Sequence, residues 1–284
     1  MTTAERPPCV LSIAGSDSGG GAGVQADLKA FARCGVHGMT AITALTAQNT
    51  VGVRAVEAVS PAMIVDQVRA VAEDIGVDAV KIGMLGDEAT IEAVGHALDL
   101  VGGVPIVLDP VMVSESGAVL LEAGARRALR EIVLPRASVV TPNVPEALVL
   151  AGAAEGTPSE ELASAVHALG ASAVVITGGH AADGTDVFFD GERWVAIEGE
   201  RHPDGAAHGS GCTHSSVLAA HLALGWEPLE AARRAREIAG DAVRDGLRGV
   251  GAGPGPVAVL GGATYPAATR VGAAGASAAS GALA

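Results

Sequence analysis

The sequence predicts an α/β chain built on a mostly parallel sheet with helices on both faces, and three observations carry that expectation. Short runs rich in Val and Ile alternate with longer stretches of helical apolar spacing. Most of the short runs are apolar at consecutive positions, the mark of strands covered on both sides. The 284 residues are 49% hydrophobic and 18% charged, enough for one large domain or two small ones, and neither a linker nor an internal repeat divides them.

Residues 10–14, Val-Leu-Ser-Ile-Ala, form the first expected strand, and 24–34 follow with helical spacing. Strands are expected at 39–44 and 53–59, then a helix at 62–75. The alternation continues with a strand at 79–82 and a helix at 89–101, then a strand at 106–108 and a helix at 126–133. A strand at 138–140 leads to helices at 144–151 and 159–169, and another strand at 173–177 follows. Residues 184–193 differ, because Asp190-Gly191 between short β runs at 187–189 and 194–197 signals a hairpin and an antiparallel edge. Helices at 215–224 and 228–246 close a single domain of residues 1–261. Residues 262–284, rich in Ala, Gly and Ser without apolar periodicity, read as a disordered tail. In such sheets ligands sit at the carboxyl ends of the strands, so chemistry is expected in the loops that follow them.

Lys plus Arg total 18 against 32 Asp plus Glu, a formal charge of −14. Phosphate backbones and acidic lipids are repelled by such a surface, so neither nucleic acid nor an anionic membrane is an expected partner. Six aromatic residues leave few platforms for base stacking. Cys9, Cys34 and Cys212 show no paired spacing, which points away from disulfides and structural zinc and toward a reducing cytoplasm. Residues 1–8 do not read as a signal peptide, and no apolar run approaches the roughly 20 residues that span a bilayer. Only Lys29 and Lys81 are lysines.

The first strand runs into Gly15-Ser-Asp-Ser-Gly-Gly-Gly-Ala-Gly23 and then a helix. Glycines let backbone approach a ligand closely, and a helix N-terminus offers unpaired N–H groups. A Walker A loop ends in Gly-Lys-Ser/Thr, and Gly23-Val24-Gln25 does not. Gly21-x-Gly23-x-x-Ala26 nominally meets a dinucleotide fingerprint, but no acidic residue between Leu28 and Val56 is there to hold a ribose hydroxyl. The segment therefore reads as a floor or lid for a small molecule, presenting Asp17 and Asp27, or as a tight turn. Gln48 and Asn49 are amides suited to a heterocycle edge, or turn residues.

Asp109, after Ile106-Val-Leu108, is costly to bury unless paired, hydrogen-bonded or near a metal. In Thr141-Pro-Asn-Val-Pro-Glu146, Asn143 and Glu146 read as helix-capping residues or as part of a magnesium-nucleotide site, since Mg2+ takes one or two carboxylates plus water and phosphate oxygens. His208-Gly-Ser-Gly-Cys-Thr213 precedes the expected 215–224 helix. Its glycines expose successive N–H groups as an anion hole, where the helix end favours a Cys212 thiolate; a buried, inert cysteine is the other reading. His208, only four residues away on the same loop, gives no specific support for Cys–His catalysis.

The blocks IAGSDSGGGAGVQADLKAF (13–31), GVHGMTAITALTAQNT (35–50), VKIGMLGD (80–87), VLDPVMVSESG (107–117), VTPNVPEA (140–147), GGH (178–180) and HGSGCT (208–213) occur in one order from about Cys9 to Val257. Together they resemble the hydroxymethylpyrimidine/phosphomethylpyrimidine kinases of thiamine biosynthesis, in the ribokinase-like superfamily. The resemblance implies a three-layer α-β-α fold with a small antiparallel edge. It also implies two ATP-dependent phosphorylations, of 4-amino-5-hydroxymethyl-2-methylpyrimidine and then of its monophosphate. By the same resemblance Gln48 hydrogen-bonds the aminopyrimidine, and Ala22, Asp27, Met84 and Val111 line its pocket. Asp109 and Glu146 organise Mg2+ or its waters. Asn143, Thr141 and Ser210 fall on the ATP side, Gly209 and Gly211 approach its phosphates, and Cys212 is the base or hydrogen-bond partner of the attacking hydroxyl. Family members are commonly homodimers. Phosphoryl transfer needs mainly alignment and stabilisation of spread negative charge, which amides and a metal supply.

Three departures from the family pattern matter. Thr177 stands where the family usually has Lys, and Glu115 where Lys is common. Ala206-Ala207 precedes His208 where a Thr, often after Asn or Asp, is usual, with Ser210 in place of Thr. Each removes a cation or hydroxyl from the expected ATP side. Because both lysines lie in the first third of the chain, the phosphate site among the later motifs is expected to hold none. Two alternatives follow: a kinase of pyridoxal or pyridoxine in the same superfamily, and a non-catalytic pyrimidine-binding paralogue whose ATP half has decayed.

Overall fold

The computed structural model describes residues 6–261 apart from 114–116, 118, 119, 123, 179–183 and 204. Glu115, Gly179, His180 and the 262–284 tail lie outside the described residues. Along the chain run β1 (Cys9–Ala14), α1 (Gly23–Arg33), β2 (His37–Ile42), β3 (Ala44–Asn49), β4 (Gly52–Ala58) and α2 (Pro61–Asp74). Next come β5 (Ala79–Ile82), α3 (Glu88–Leu98), β6 (Ile106–Leu108), α4 (Ala125–Ala128), β7 (Val139–Val140), α5 (Val144–Ala151) and α6 (Ser159–His167). The described chain closes with β8 (Val174–Ile176), β9 (Asp186–Phe189), β10 (Trp194–Ile197), α7 (Ser210–Ala223) and α8 (Pro228–Arg244). The helix expected at 126–133 is α4 continued by a π turn at Leu129–Val133 and a 3-10 turn at Leu134–Arg136.

Eight strands form one sheet in the order β10-β9-β8-β7-β6-β5-β1-β2. It is parallel from β8 to β2, and β9 pairs antiparallel with both β8 and β10, the edge that Asp190-Gly191 signals. Strand alternation divides the apolar side chains between the two faces. Leu11 and Ile13 pack with Ile64 of α2 and Ile91 of α3, whereas Val10 packs with Phe31 of α1 and Val217 of α7. The fold is therefore the three-layer α-β-α arrangement expected. α7 is buried along most of its length, and its buried polar residues Ser215 and Ser216 are hydrogen-bonded to Asp109 and Asp27.

Two expectations are corrected. The strand expected at 39–44 ends at Ile42, where Thr43 turns aside and donates its Oγ1 to the Met84 carbonyl at 2.7 Å. The following residues, expected as a loop, are β3, which pairs antiparallel with β4 in a separate two-stranded sheet. Here Leu45 and Ala47 face out while Thr46 is buried, the reverse of the usual pattern. The helix expected from 215 begins at Ser210, so Ser210, Gly211 and Cys212 form its first turn instead of a preceding loop.

Candidate active site

A cavity of about 370 Å3 opens where the parallel strands end. Its wall takes Gly15 after β1, Met84 after β5, Asp109 after β6, Thr141 after β7 and Thr177 after β8. This is the carboxyl edge of the sheet, where backbone leaving each strand is free to serve a ligand.

Asp17 organises the glycine-rich loop. Its carboxylate accepts the N–H groups of Gly19 at 2.8 Å, Gly21 at 3.0 Å and Ala22 at 2.8 Å, and its Oδ2 lies 2.9 Å from Nε2 of His208. Burial pushes Asp17 up, but His208 and the Ala22 and Gly19 N–H groups outweigh it and hold the carboxyl below its ordinary value. The loop touches the start of α7 directly. Gly209, in the left-handed region at φ 87°, caps that helix, and any Cβ there would strike the Gly21 carbonyl.

The first turn of α7 presents unpaired backbone N–H groups. The Ser210 N–H donates to the Ala207 carbonyl and that of Thr213 to Gly209, which leaves Gly211 and Cys212 with no backbone acceptor among the described residues. A Cβ on Gly211 would stand 4.0 Å from Oδ2 of Asp109, so this turn faces that carboxylate.

Asp109 accepts the Ser215 hydroxyl at 3.0 Å. Glu146 forms the capping box with Asn143: Oε2 accepts the Asn143 N–H at 3.0 Å and Asn143 Oδ1 accepts the Glu146 N–H at 2.9 Å. The capping reading thus holds for both residues, and both also line the cavity. Burial, then repulsion from Asp109, pushes the Glu146 carboxyl up to about 8. Burial likewise raises Asp109, against the attraction of Lys81. Two buried carboxyl groups on one cavity, both raised by burial and Glu146 also by Asp109, fit a hard divalent cation, whose charge would offset these effects.

Cys212 is partly accessible from inside the cavity while protein surrounds it on the other sides. Burial pushes its thiol up to about 12, against the pull of Lys81 and a hydrogen bond from the Gly23 N–H. The expected thiolate is therefore corrected, because desolvation of the anion exceeds what the helix ends supply.

Gln48, Ala22, Met84, Val111, Asn143, Thr141, Gly209, Ser210 and Gly211 all line the cavity, as their motifs lead one to expect. Asp27 does not. It is fully buried beneath the wall, where it accepts Ser12 at 2.5 Å, Ser216 at 2.7 Å and the Lys81 ammonium at 2.9 Å. Lys81 in turn corrects the expectation of a site without lysine, since the sheet order sets β5 between β1 and β6 and so brings it to the wall. Sequence reasoning missed Asp186, His214 and Arg236, which also line the cavity. The available signal was a histidine inside the apolar run of α7.

The family model described as Phosphomethylpyrimidine kinase matches residues 17–258. The chain belongs to the phosphomethylpyrimidine kinase family. Within this family, hydroxymethylpyrimidine/phosphomethylpyrimidine kinase of Rhizobium meliloti is 47% identical over 253 residues, covering 87% of this chain and 95% of that protein. The thiamine biosynthesis bifunctional protein ThiED of Geobacter sulfurreducens is 44% identical over 252 residues, and there the chain spans 51% of the relative's length. The phosphomethylpyrimidine kinase of Clostridium difficile superposes with a TM-score of 0.72 at 38% identity, covering 81% of this chain and 96% of that one. Pyridoxal kinase from Staphylococcus aureus in complex with AMP-PCP gives a TM-score of 0.82 at 33% identity, covering 90% and 95%.

Proposed function

We propose that the protein is an ATP-dependent kinase that phosphorylates 4-amino-5-hydroxymethyl-2-methylpyrimidine and then its monophosphate, as a step of thiamine biosynthesis. Membership of the family over residues 17–258 supports it, and the observation that carries it is the meeting of Gln48, Asp109 and the unpaired N–H groups of α7 on one cavity wall. Gln48 reads the aminopyrimidine edge, with Ala22, Met84 and Val111 around the ring. The substrate hydroxyl forms a bond to the γ-phosphorus as the bond from that phosphorus to the bridging oxygen breaks, ADP leaves, the hydroxyl proton passes to the transferred phosphoryl group or solvent, and the Gly211 and Cys212 N–H groups meet the negative charge. With its thiol protonated, Cys212 holds the attacking hydroxyl by a hydrogen bond. Asp109 and Glu146 would hold Mg2+, which supplies charge neutralisation on the phosphates when bound. Asn143, Thr141 and Ser210 stand on the nucleotide side.

Purified protein given Mg-ATP and the hydroxymethylpyrimidine is expected to form the monophosphate and then the diphosphate, read by phosphorus NMR. No turnover of either pyrimidine by protein with an intact circular-dichroism spectrum rejects the reading. A pyridoxal kinase is the second reading, favoured by the TM-score of 0.82 to the Staphylococcus aureus enzyme. Comparing kcat/KM on pyrimidine and pyridoxal decides between them.

We further propose a homodimer formed through the β3–β4 sheet, where Leu45 is 51% and Val56 52% exposed. Sedimentation velocity is expected to show a dimer that Leu45→Glu with Val56→Glu converts to monomer. Residues 1–261 would form the kinase domain ahead of an Ala/Gly-rich tail, in the cytoplasm; no helix among the described residues is long and apolar enough to cross a membrane.

A further inference from the structure

Buried polar atoms are nearly always hydrogen-bonded, so those left without partners mark places that something else completes. Among the described residues five buried side-chain atoms have no hydrogen-bond partner, and four of them sit in one cluster: both ring nitrogens of His214, Oδ2 of Asp186 and Nε of Arg236. The three side chains surround one carboxylate. Nε2 of His214 lies 3.4 Å from Asp186 Oδ2, and Nε of Arg236 lies 3.9 Å from Asp186 Oδ1. That Oδ1 accepts the Gly178 N–H at 2.7 Å, which ties the cluster to the end of β8, while the Arg236 guanidinium donates to the Gly184 carbonyl. His214 is 5% exposed and Asp186 1%, and all three residues line the cavity.

The charge of the cavity says what completes them. Asp17, Asp109, Glu146, Asp186 and Glu200 put five carboxylates on its wall. Of the other basic residues on the wall, Lys81 is committed to Asp27 and His208 to Asp17, while Arg201 and His202 lie outside the buried cluster. A nucleoside triphosphate, anionic even with its metal, needs donors with hydrogen-bonding capacity to spare, and the long contacts to Asp186 leave the His214 ring nitrogens and Arg236 Nε without a hydrogen bond. His214 lies on α7, one turn beyond the anion hole, and is the buried wall residue with a ring nitrogen that no bond occupies. We infer that His214 and Arg236 are nucleotide-phosphate-binding residues and that Asp186 is the positioning residue that orients them. On this reading a turn of the His214 ring directs one N–H to a phosphate oxygen while Asp186 keeps hold of the other side of the cluster. The inference rests on the ATP-dependent reading above and assigns that site residues which no motif marks.

Titration calorimetry with Mg-ADP, and separately with the hydroxymethylpyrimidine, tests it on wild-type protein, His214→Leu and Arg236→Gln. His214→Leu removes the 3.4 Å contact with Asp186 but no hydrogen bond, so its Tm is expected to stay close to that of wild type. Its Mg-ADP affinity is expected to fall about ten- to a hundredfold, as for a lost charge-assisted hydrogen bond, with pyrimidine affinity within about twofold of wild type. Arg236→Gln reads the same effect should His214→Leu not fold. Mg-ADP affinity within about twofold of wild type in a folded variant overturns the inference, as does a parallel loss of Tm and of both affinities. Wild-type protein that binds Mg-ADP but phosphorylates no pyrimidine refutes the proposed substrate and leaves this assignment standing.

Discussion

The Lys81 ammonium lies 2.9 and 3.1 Å from the two carboxylate oxygens of Asp27, and both side chains are fully buried. Ser12 and Ser216 satisfy the remaining lone pairs, so the carboxylate is fully coordinated. Burial drives the Lys81 pKa down, yet Asp27, and behind it Cys212 and Asp109, hold it above its ordinary value. Lys81 therefore keeps its proton, and its charge is balanced by Asp27 beneath the cavity.

Breaking such a pair leaves an uncompensated buried charge. Lys81→Met is expected to destabilise the fold by about 3–5 kcal/mol, and Lys81→Met with Asp27→Leu by markedly less. Urea denaturation of the two variants measures this. A double variant that loses as much as Lys81→Met, or more, would show that the uncompensated Asp27 charge is not what destabilises the single variant.

The parallel core and its helices are legible in the sequence because the uninterrupted apolar runs at 106–108 and 174–176 fit strands covered on both faces. β3 was illegible because Thr46 is buried and Leu45 exposed, so its polarity runs opposite to a half-buried strand. The start of α7 was hidden by Gly209 and Gly211, which read as loop although Gly209 supplies the left-handed cap. The loops of the site were legible through their glycines and stranded polar residues. Lys81 and the Asp186–His214–Arg236 cluster were not, since only the strand order and the packing of α7 and α8 bring them to the cavity.

Cys212 gives a chemical prediction. With its thiol pushed up to about 12, roughly one in ten thousand molecules carries the thiolate at pH 8. Iodoacetamide labelling followed by mass spectrometry is expected to find Cys212 far slower than a free thiol, its rate rising about tenfold per pH unit to beyond pH 10. Cys212→Ala is expected to lower kcat with little change in pyrimidine affinity. Fast labelling at pH 8 would restore the thiolate reading.

Gln48 predicts a different split. Its backbone N–H and carbonyl are held by the Ser18 hydroxyl, at 2.8 and 2.7 Å, so the side chain can be removed without loosening β3. Gln48→Ala is expected to raise the pyrimidine KM about two- to tenfold, the worth of one hydrogen bond, with Tm unchanged. An unaltered KM removes Gln48 from the pyrimidine edge.

Glu146 sets the pH response of the metal-free protein. Its folded pKa, raised by burial and by Asp109 to about 8, stands above its ordinary value of 4.5, so the folded state holds the proton more tightly than the unfolded chain does. The associated stability is fully present below about pH 4.5 and is lost as pH rises toward 8, at up to about 1.4 kcal/mol per pH unit. Asp109, raised by burial and by Asp27, acts in the same direction. Glu146→Gln keeps an oxygen to accept the Asn143 N–H and so preserves the capping box, but it cannot ionise. Chemical denaturation between pH 5 and 8 is expected to show the wild type losing stability across this window and Glu146→Gln losing much less. Mg2+ compensates the ionised pair, so its addition is expected to raise the wild-type midpoint more at pH 8 than at pH 6. Parallel pH profiles for the two proteins would place the cause of the raised pKa elsewhere than in the Asp109–Glu146 pair.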